Sequence, residues 1–286
     1  RRIDAERAQS LYDAMGPGRE ISGGSAANTL AGLSRLGHKT AFIGQVAQDQ
    51  LGDVFAHDIR ATGIDFDVPA RPGQPSTARC LILVTPDAQR TMNTFLGAAQ
   101  FLPETAIDKA KIEGAAWLYL EGYLWNAPES RAAMTGAIAI AKNAGRKVAL
   151  TLSDAFVVEG HRDEFFALMD DGSLDLLFAN DTEVRAMMQT DDTEAAVAAL
   201  AARVPMLVCT HGAAGAEAHR GDQHARVSAE KVERVVDTTG AGDLFAAGVF
   251  AGIAQERILK DCLTMGAVCA AEVISHIGAR SEVALG

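Results

Sequence analysis

The chain has 286 residues, enough for one large domain or two modest ones and for a sizeable core. Its 26 Lys and Arg against 37 Asp and Glu leave a formal charge of −11. That balance argues against nucleic acid or an anionic membrane as partner, since both favour basic surfaces, and it obliges any phosphate-bearing ligand to be held by local donors. No apolar run is long enough for a transmembrane helix. The first residues, Arg1 to Arg19, show no apolar core of a signal peptide. Cys80, Cys209, Cys262 and Cys269 form no C-x-x-C pair and have no histidines at metal spacing. They read as buried thiols in a reducing cytoplasm, and no zinc site is expected.

In chain order, Ser22-Gly23-Gly24-Ser25 opens a helix on which Leu30, Leu33 and Leu36 recur at helical spacing. Residues 77–85 and 90–96 are extended runs joined by Pro86-Asp87-Ala88-Gln89, a hairpin with Ala78, Cys80, Ile82 and Val84 on one face and Arg79 and Thr85 on the other. From about residue 114 the pattern alternates. Strand-like runs at 116–120, 148–152, 174–178 and 206–209 are separated by helical stretches at 129–143, 162–169, 182–189 and 193–202. This predicts right-handed βαβ units and a mostly parallel sheet covered on both faces. Short antiparallel strands are expected at 215–220, 224–228 and 232–236, before a final pair of helices.

Five of these runs end in polar residues: Glu121-Gly122-Tyr123, Ser153-Asp154, Asn180 with Glu183, Thr210-His211-Gly212, and Asp237-Thr238-Thr239-Gly240. Ligands of open α/β sheets bind beyond the carboxyl ends of strands, so five such ends are expected to line one rim. Helix capping explains any one of them equally well, but all five together less well.

The segment Asp237-Thr238-Thr239-Gly240-Ala241-Gly242-Asp243 lies between an apolar run and an apolar helix. Its glycines let backbone N–H groups at a helix start converge on an anion. Against a phosphoryl transition state each aimed donor contributes about 2.7–4 kcal/mol. Asp243, in the first turn, is placed to accept a proton from an attacking hydroxyl. Taken alone, it reads equally as an N-cap carboxylate. A helix start also depresses a carboxylate pKa, making a weaker base. A dinucleotide fingerprint, and with it a nicotinamide-dependent oxidoreductase, needs a third Gly or Ala where Phe245 stands, and no G-x-x-x-x-G-K-[ST] is present.

From Asp237 to Gly248 the chain resembles the carboxy-terminal signature of the ribokinase-like (PfkB) carbohydrate kinase family. Ser22-Gly23-Gly24-Ser25-Ala26-Ala27-Asn28-Thr29 is similar to the family's amino-terminal sugar-binding signature, and Ile43-Gly44-Gln45-Val46 with Asp49 and Gly52 to the strand and turn that follow it. The resemblance runs from about residue 20 to Arg280. It implies a three-layer α/β/α fold, a mostly parallel sheet, one kinase domain over 1–286 and a small β lid from about 65–100. It also implies a cytoplasmic kinase that transfers the γ-phosphoryl of ATP to a primary hydroxyl of a nucleoside or sugar.

By the resemblance Gly23, Gly24, Ser25 and Asn28 hold the acceptor, and Asp243 is the general base beside an anion hole of Gly240, Ala241, Gly242 and Asp243. Asn180 and Glu183 fit an Asn-x-x-Glu motif that supports Mg2+, Glu183 through water, while Thr210, Gly212 and Gly215 contact ATP. Asp237 and Thr239 would flank a monovalent cation such as K+. Gly-Gly-Ser-x-x-Asn-Thr and Arg90-Thr91-Met92-Asn93 look closer to adenosine kinases than to ribokinases, and by that likeness Arg90 reaches the transferring phosphate. Adenosine is the leading acceptor, with ribose or fructose kinase and a non-catalytic nucleoside sensor as alternatives. A homodimer through the lid is a further expectation. Relatives begin with a strand whose Asp grips sugar hydroxyls, and nothing before Arg19 reads as that strand, so a longer chain is expected.

Overall fold

In the computed structural model of the chain, which describes residues 1–85 and 90–283, the described residues divide into two units. One comprises Arg1–Leu102, Lys231–Ala247 and the segment from Cys269 onward; the other comprises Pro103–Glu230 and Gly248–Val268.

The first unit carries helices α1 (Ala5–Ala14), α2 (Ser25–Arg35) and α3 (Gln50–Ala61), and strands β1 (Arg79–Val84) and β2 (Arg90–Phe95). β1 and β2 pair antiparallel from Arg79 with Phe95 to Val84 with Arg90, as the two extended runs predict. The turn expected at Pro86–Gln89 lies outside the described residues. Burial along β1 follows position rather than face: Leu81 is buried, while Leu83 and Val84 are exposed. The expected apolar face at Cys80, Ile82 and Val84 is therefore not the covered one throughout. Around Ile43-Gly44-Gln45-Val46 the chain forms only isolated parallel bridges, Ala41 with Asp65 and Ala47 with Arg71. Asp49 caps α3, accepting from Gly52 N at 2.8 Å and from Thr77 Oγ1 at 2.6 Å.

The second unit holds a six-stranded sheet in chain order: β3 (Trp117–Glu121), β4 (Lys147–Thr151), β5 (Leu176–Asn180), β6 (Met206–Thr210), β7 (Ala216–Arg220) and β8 (Gln223–Val227). β3 to β6 are parallel, and β7 and β8 return antiparallel. Between the parallel strands run α5 (Pro128–Asn143), α6 (Ala155–Asp170), α7 (Asp181–Met188) and α8 (Thr193–Ala201), with the short α4 (Lys109–Gly114) before β3. Pro128 opens α5 at its first position, where a missing N–H costs nothing. α6 is broken at His161 (φ −137°, ψ 23°), so its second part follows from 162 as expected, while Asp154, accepting from Phe156 N at 2.8 Å, caps a preceding stretch that the sequence did not show.

Continuous Val/Leu runs such as Leu176-Leu177 and Leu207-Val208 are fully buried, as strands covered on both faces require. Phe250, from helix α9 (Ala241–Ala254), packs edge-on against Trp117 and Tyr119 and tilted against Phe178, with ring centroids 5.3–5.7 Å apart. By strand alternation Leu118 and Leu120 are left for the opposite face. The last helix is α10 (Leu259–Val273).

Residues 232–236, expected as a strand, do not form one. Val236 N donates to Ile274 O at 2.8 Å and Asp237 N to the same oxygen at 3.4 Å. One carbonyl from a helix end cannot supply a ladder. The rim expected from five polar strand ends is accordingly met by four. The parallel strands β3 to β6 finish on one edge at Glu121, Thr151 leading to Ser153-Asp154, Asn180 and Thr210.

Candidate active site

In the first unit, the start of α2 and the start of α9 meet at Asp243. Gly24 is the N-cap residue of α2 with φ of 96°, a backbone state that side-chain-bearing residues rarely adopt. It turns the chain so that Ser25 and Asn28, one helical turn apart, face the same carboxylate. Ser25 Oγ donates to Asp243 Oδ1 at 2.7 Å, and Asn28 Nδ2 donates to Oδ2 at 2.9 Å. Gly32, on the same helix, leaves room for Leu244 and Ala247 of α9; an added Cβ would stand 2.7 and 2.8 Å from them.

Asp243 is pushed up to about 6 from an ordinary 3.8. Desolvation is the main cause, and the hydrogen bonds from Asn28 and Ser25, with the charge of Arg90, pull the other way. The helix start suggested a depressed carboxylate. Burial of the charge outweighs the dipole here, so Asp243 is a stronger base than the sequence implied.

Ahead of Asp243, the turn is tied down by Asp237. Its Oδ1 accepts from Thr239 N at 2.9 Å and Thr239 Oγ1 at 2.6 Å, and its Oδ2 from Gly278 N at 3.1 Å. Both Asp237 and Thr239 are buried. Gly240 has φ of 81°, and a Cβ there would lie 2.7 Å from Ala279 backbone atoms, so only glycine fits. Gly242, by contrast, is exposed with open space where a Cβ would be. The first-turn N–H groups of any helix lack intrahelical partners, and here Ala241 N goes to Thr238 O at 3.3 Å. What the turn offers is a helix N-terminus with an unobstructed approach at Gly242, the arrangement that binds anions. Arg90, from the start of β2, donates through Nη1 to Thr238 Oγ1. Among the expected acceptor residues Gly23 touches nothing within 4 Å of a built Cβ.

In the second unit, Asn180 and Thr210 are register partners at the ends of β5 and β6. Asn180 caps α7: its Oδ1 accepts from Thr182 N and Glu183 N, and Glu183 accepts in return from Asn180 N at 3.0 Å and Nδ2 at 2.6 Å. Glu183 is thus both a capping-box residue and a buried carboxyl. It is pushed up to about 7, first by burial and further by the charge of Asp154, against the hydrogen bonds from Asn180. Since both its oxygens are held by Asn180, any metal at this edge would meet Glu183 through water. Thr210-His211-Gly212 closes on itself, with His211 N donating to Gly215 O at 2.8 Å.

Several residues escaped the sequence. Arg280 donates from Nε to Asn28 Oδ1 at 3.3 Å, while its Nη2 is buried with no protein partner. Burial lowers its pKa, partly offset by the charge of Asp58. Asp154 was visible only as a strand end, and its electrostatic reach to Glu183 was not. No spacing rule connects residues 252 positions apart, as Asn28 and Arg280 are.

A sheet that is mostly parallel, a glycine-bearing helix start and a half-buried carboxylate opposite a Gly-Gly helix fit a kinase that phosphorylates alcohol groups. The chain matches the pfkB family carbohydrate kinase over residues 8–284, and it belongs to that family. A probable sugar kinase protein from Rhizobium etli CFN 42 is 45% identical, covering 99% of this chain and 86% of its own, with a TM-score of 0.97. The adenosine kinase from Sinorhizobium meliloti is 44% identical, with a TM-score of 0.96 and coverage of 99% and 87%. A fructokinase from Klebsiella pneumoniae is 27% identical over 96% of this chain and 92% of its own. The ribokinase-like fold and the phosphotransferase class expected from the motifs are thereby established.

Proposed function

We propose that the enzyme transfers the γ-phosphoryl group of ATP to a primary hydroxyl of adenosine, giving AMP and ADP. What carries this choice is the near-complete structural match to the Sinorhizobium adenosine kinase. The Ser25–Asn28–Asp243 cluster is the chemistry such a reaction uses.

In this reaction Gly23, Gly24, Ser25 and Asn28 hold the ribose, and the acceptor hydroxyl takes the place of the Ser25 hydroxyl on Asp243. Asp243 accepts the proton, late in a loose transition state. Gly240, Ala241, Gly242 and Asp243 present backbone N–H groups to the charge that develops on the phosphoryl oxygens. Arg90, already at Thr238, adds a mobile positive charge from the β1–β2 sheet, which acts as a lid. Thr210, Gly212 and Gly215 bind ATP with Asn180. Mg2+ neutralises the phosphates when bound, and Glu183, with Asp154, orders its water. Asp237 Oδ2, with one donor at 3.1 Å, is the atom left to K+. Exposed Leu83 and Val84 at the hairpin are where a second copy would pair, which gel filtration tests.

A thermal-shift panel of adenosine, inosine, ribose and fructose, followed by an assay with ATP and Mg2+, decides the acceptor. Stabilisation and turnover with adenosine are expected. Stabilisation by ribose or fructose alone would replace adenosine with a sugar, the second reading that the Klebsiella fructokinase favours. No transfer to any acceptor, by a chain that still binds ATP, would leave a sensor.

A further inference from the structure

Three side chains on the outer hairpin converge far more closely than their spacing in the sequence suggests. His219 on β7 and His224 on β8 are direct register partners, and Glu217 lies two residues before His219 on the same face of its strand. The two imidazoles stack with centroids 4.3 Å apart. Glu217 Oε2 stands 3.1 Å from His219 Nε2 and 2.9 Å from His224 Nε2.

A tetrahedral ion with bonds of about 2.0–2.2 Å to nitrogen and oxygen spaces its ligand atoms about 3.3–3.6 Å apart. Each histidine nitrogen needs to move about half an ångström from Glu217 Oε2 to meet that geometry; the three ligand atoms already lie within 4.8 Å of one another, and the stacked rings turn so that both nitrogens face the ion. His224 has a half-exposed side chain, so an ion enters from solvent and keeps an outer position for water. Behind the cluster, His211 Nε2 holds the other oxygen of Glu217 at 2.8 Å, and His211 Nδ1 is anchored by Asp181 Oδ1 at 2.5 Å. Such carboxylate–imidazole chains orient metal ligands. Two imidazoles and one carboxylate suit a first-row transition ion, not magnesium.

We propose that Glu217, His219 and His224 form a binding site for a divalent transition-metal ion of the Zn2+ type, with His211 and Asp181 as positioning residues. None of its three ligands is a residue assigned to ATP or the acceptor, although His211 lies within the Thr210–Gly215 turn, and the site does not depend on which alcohol the enzyme phosphorylates. The ion would pin the β7–β8 hairpin through the cross-strand pair.

Calorimetric titration of the full, EDTA-stripped chain with ZnCl2 alone tests this. One Zn2+ per chain is expected, weakened at least tenfold in His219→Gln and in His224→Gln and lost in the double variant. His276→Gln, at a separate His–Glu pair, should titrate as wild type. The melting temperature in EDTA, compared across variants, separates lost binding from lost folding. Cobalt(II) substitution gives an independent readout, its visible bands arising in the wild type and not in the double variant. Absence of Zn2+ binding by the wild type, or undiminished binding by a folded double variant, would overturn the site.

Discussion

Asn28 stands between a carboxylate and a cation: its Nδ2 donates to Asp243 Oδ2 at 2.9 Å, and its Oδ1 accepts from Arg280 Nε at 3.3 Å. The arginine fixes which end of the amide faces the carboxylate. Each Asp243 oxygen therefore already accepts a hydrogen bond before any acceptor arrives. Replacing Asp243 with Asn removes the carboxylate and sets one amide against another. The variant should lose about 10²–10⁴-fold in kcat, the usual contribution of a general base, while its KM for ATP changes little. Steady-state kinetics with saturating acceptor measure this, and near-normal kcat in Asp243→Asn would remove the residue from the chemistry.

The pH profile follows from the same contacts. With Asp243 pushed up to about 6, kcat/KM should fall as pH drops through about 6, where the free enzyme's base takes up a proton. Hydrogen bonds from Asn28 and Ser25 favour the carboxylate over the acid. Deleting either, in Asn28→Ala or Ser25→Ala, should move the acidic limb to higher pH. A limb that stays in place or moves down in both variants would contradict this electrostatic account.

Arg90 reaches Thr238 from β2, at the turn proposed to hold the phosphoryl group. If its charge follows the phosphoryl group, Arg90→Ala should lower kcat by about 10²-fold, the low end for one transition-state donor. Its KM for the acceptor should change far less. Equal kcat for wild type and Arg90→Ala would reduce Arg90 to a surface contact.

Much of the site was legible because glycine is informative where geometry leaves no alternative. Gly24 and Gly240 both have positive φ; Gly24 precedes Ser25, and Gly240 opens the helix turn that carries Asp243. The parallel strands were equally readable, since double coverage writes itself as unbroken apolar runs such as Val148-Ala149-Leu150. Residues 232–236 misled for a different reason: valine content reports strand propensity, not the presence of a ladder partner, and none of the five is buried, Val235 being exposed. Arg280 and the Glu217 cluster were invisible because their meaning lies in register and tertiary approach. Glu217, His219 and His224 become neighbours only once β7 is known to pair with β8 at His219 and His224.

Gly240→Ala tests the turn itself. A Cβ would meet Ala279 backbone atoms at 2.7 Å and would have to tolerate φ of 81°. A loss of about 1–3 kcal/mol is expected, typical of a side chain forced into a sparsely populated backbone region. Urea unfolding of the variant measures it, and unchanged stability would mean that the turn relaxes without strain.

Glu183 makes a prediction about stability instead of rate. Its carboxyl is pushed up to about 7 from 4.5, chiefly by burial. Between those values the folded chain keeps a proton that the unfolded chain has released, so this residue's contribution to stability is full below about pH 4.5 and declines as pH rises towards 7. Glu183→Gln cannot ionise, yet glutamine also serves at the third position of a capping box. Any cost of the altered hydrogen bonds to Asn180 is independent of pH and shifts the whole curve without tilting it. The variant's melting temperature should therefore gain on the wild type steadily from pH 4.5 to 7 and run parallel above that. A difference that stays constant across the window would mean that Glu183 ionises normally in its buried setting.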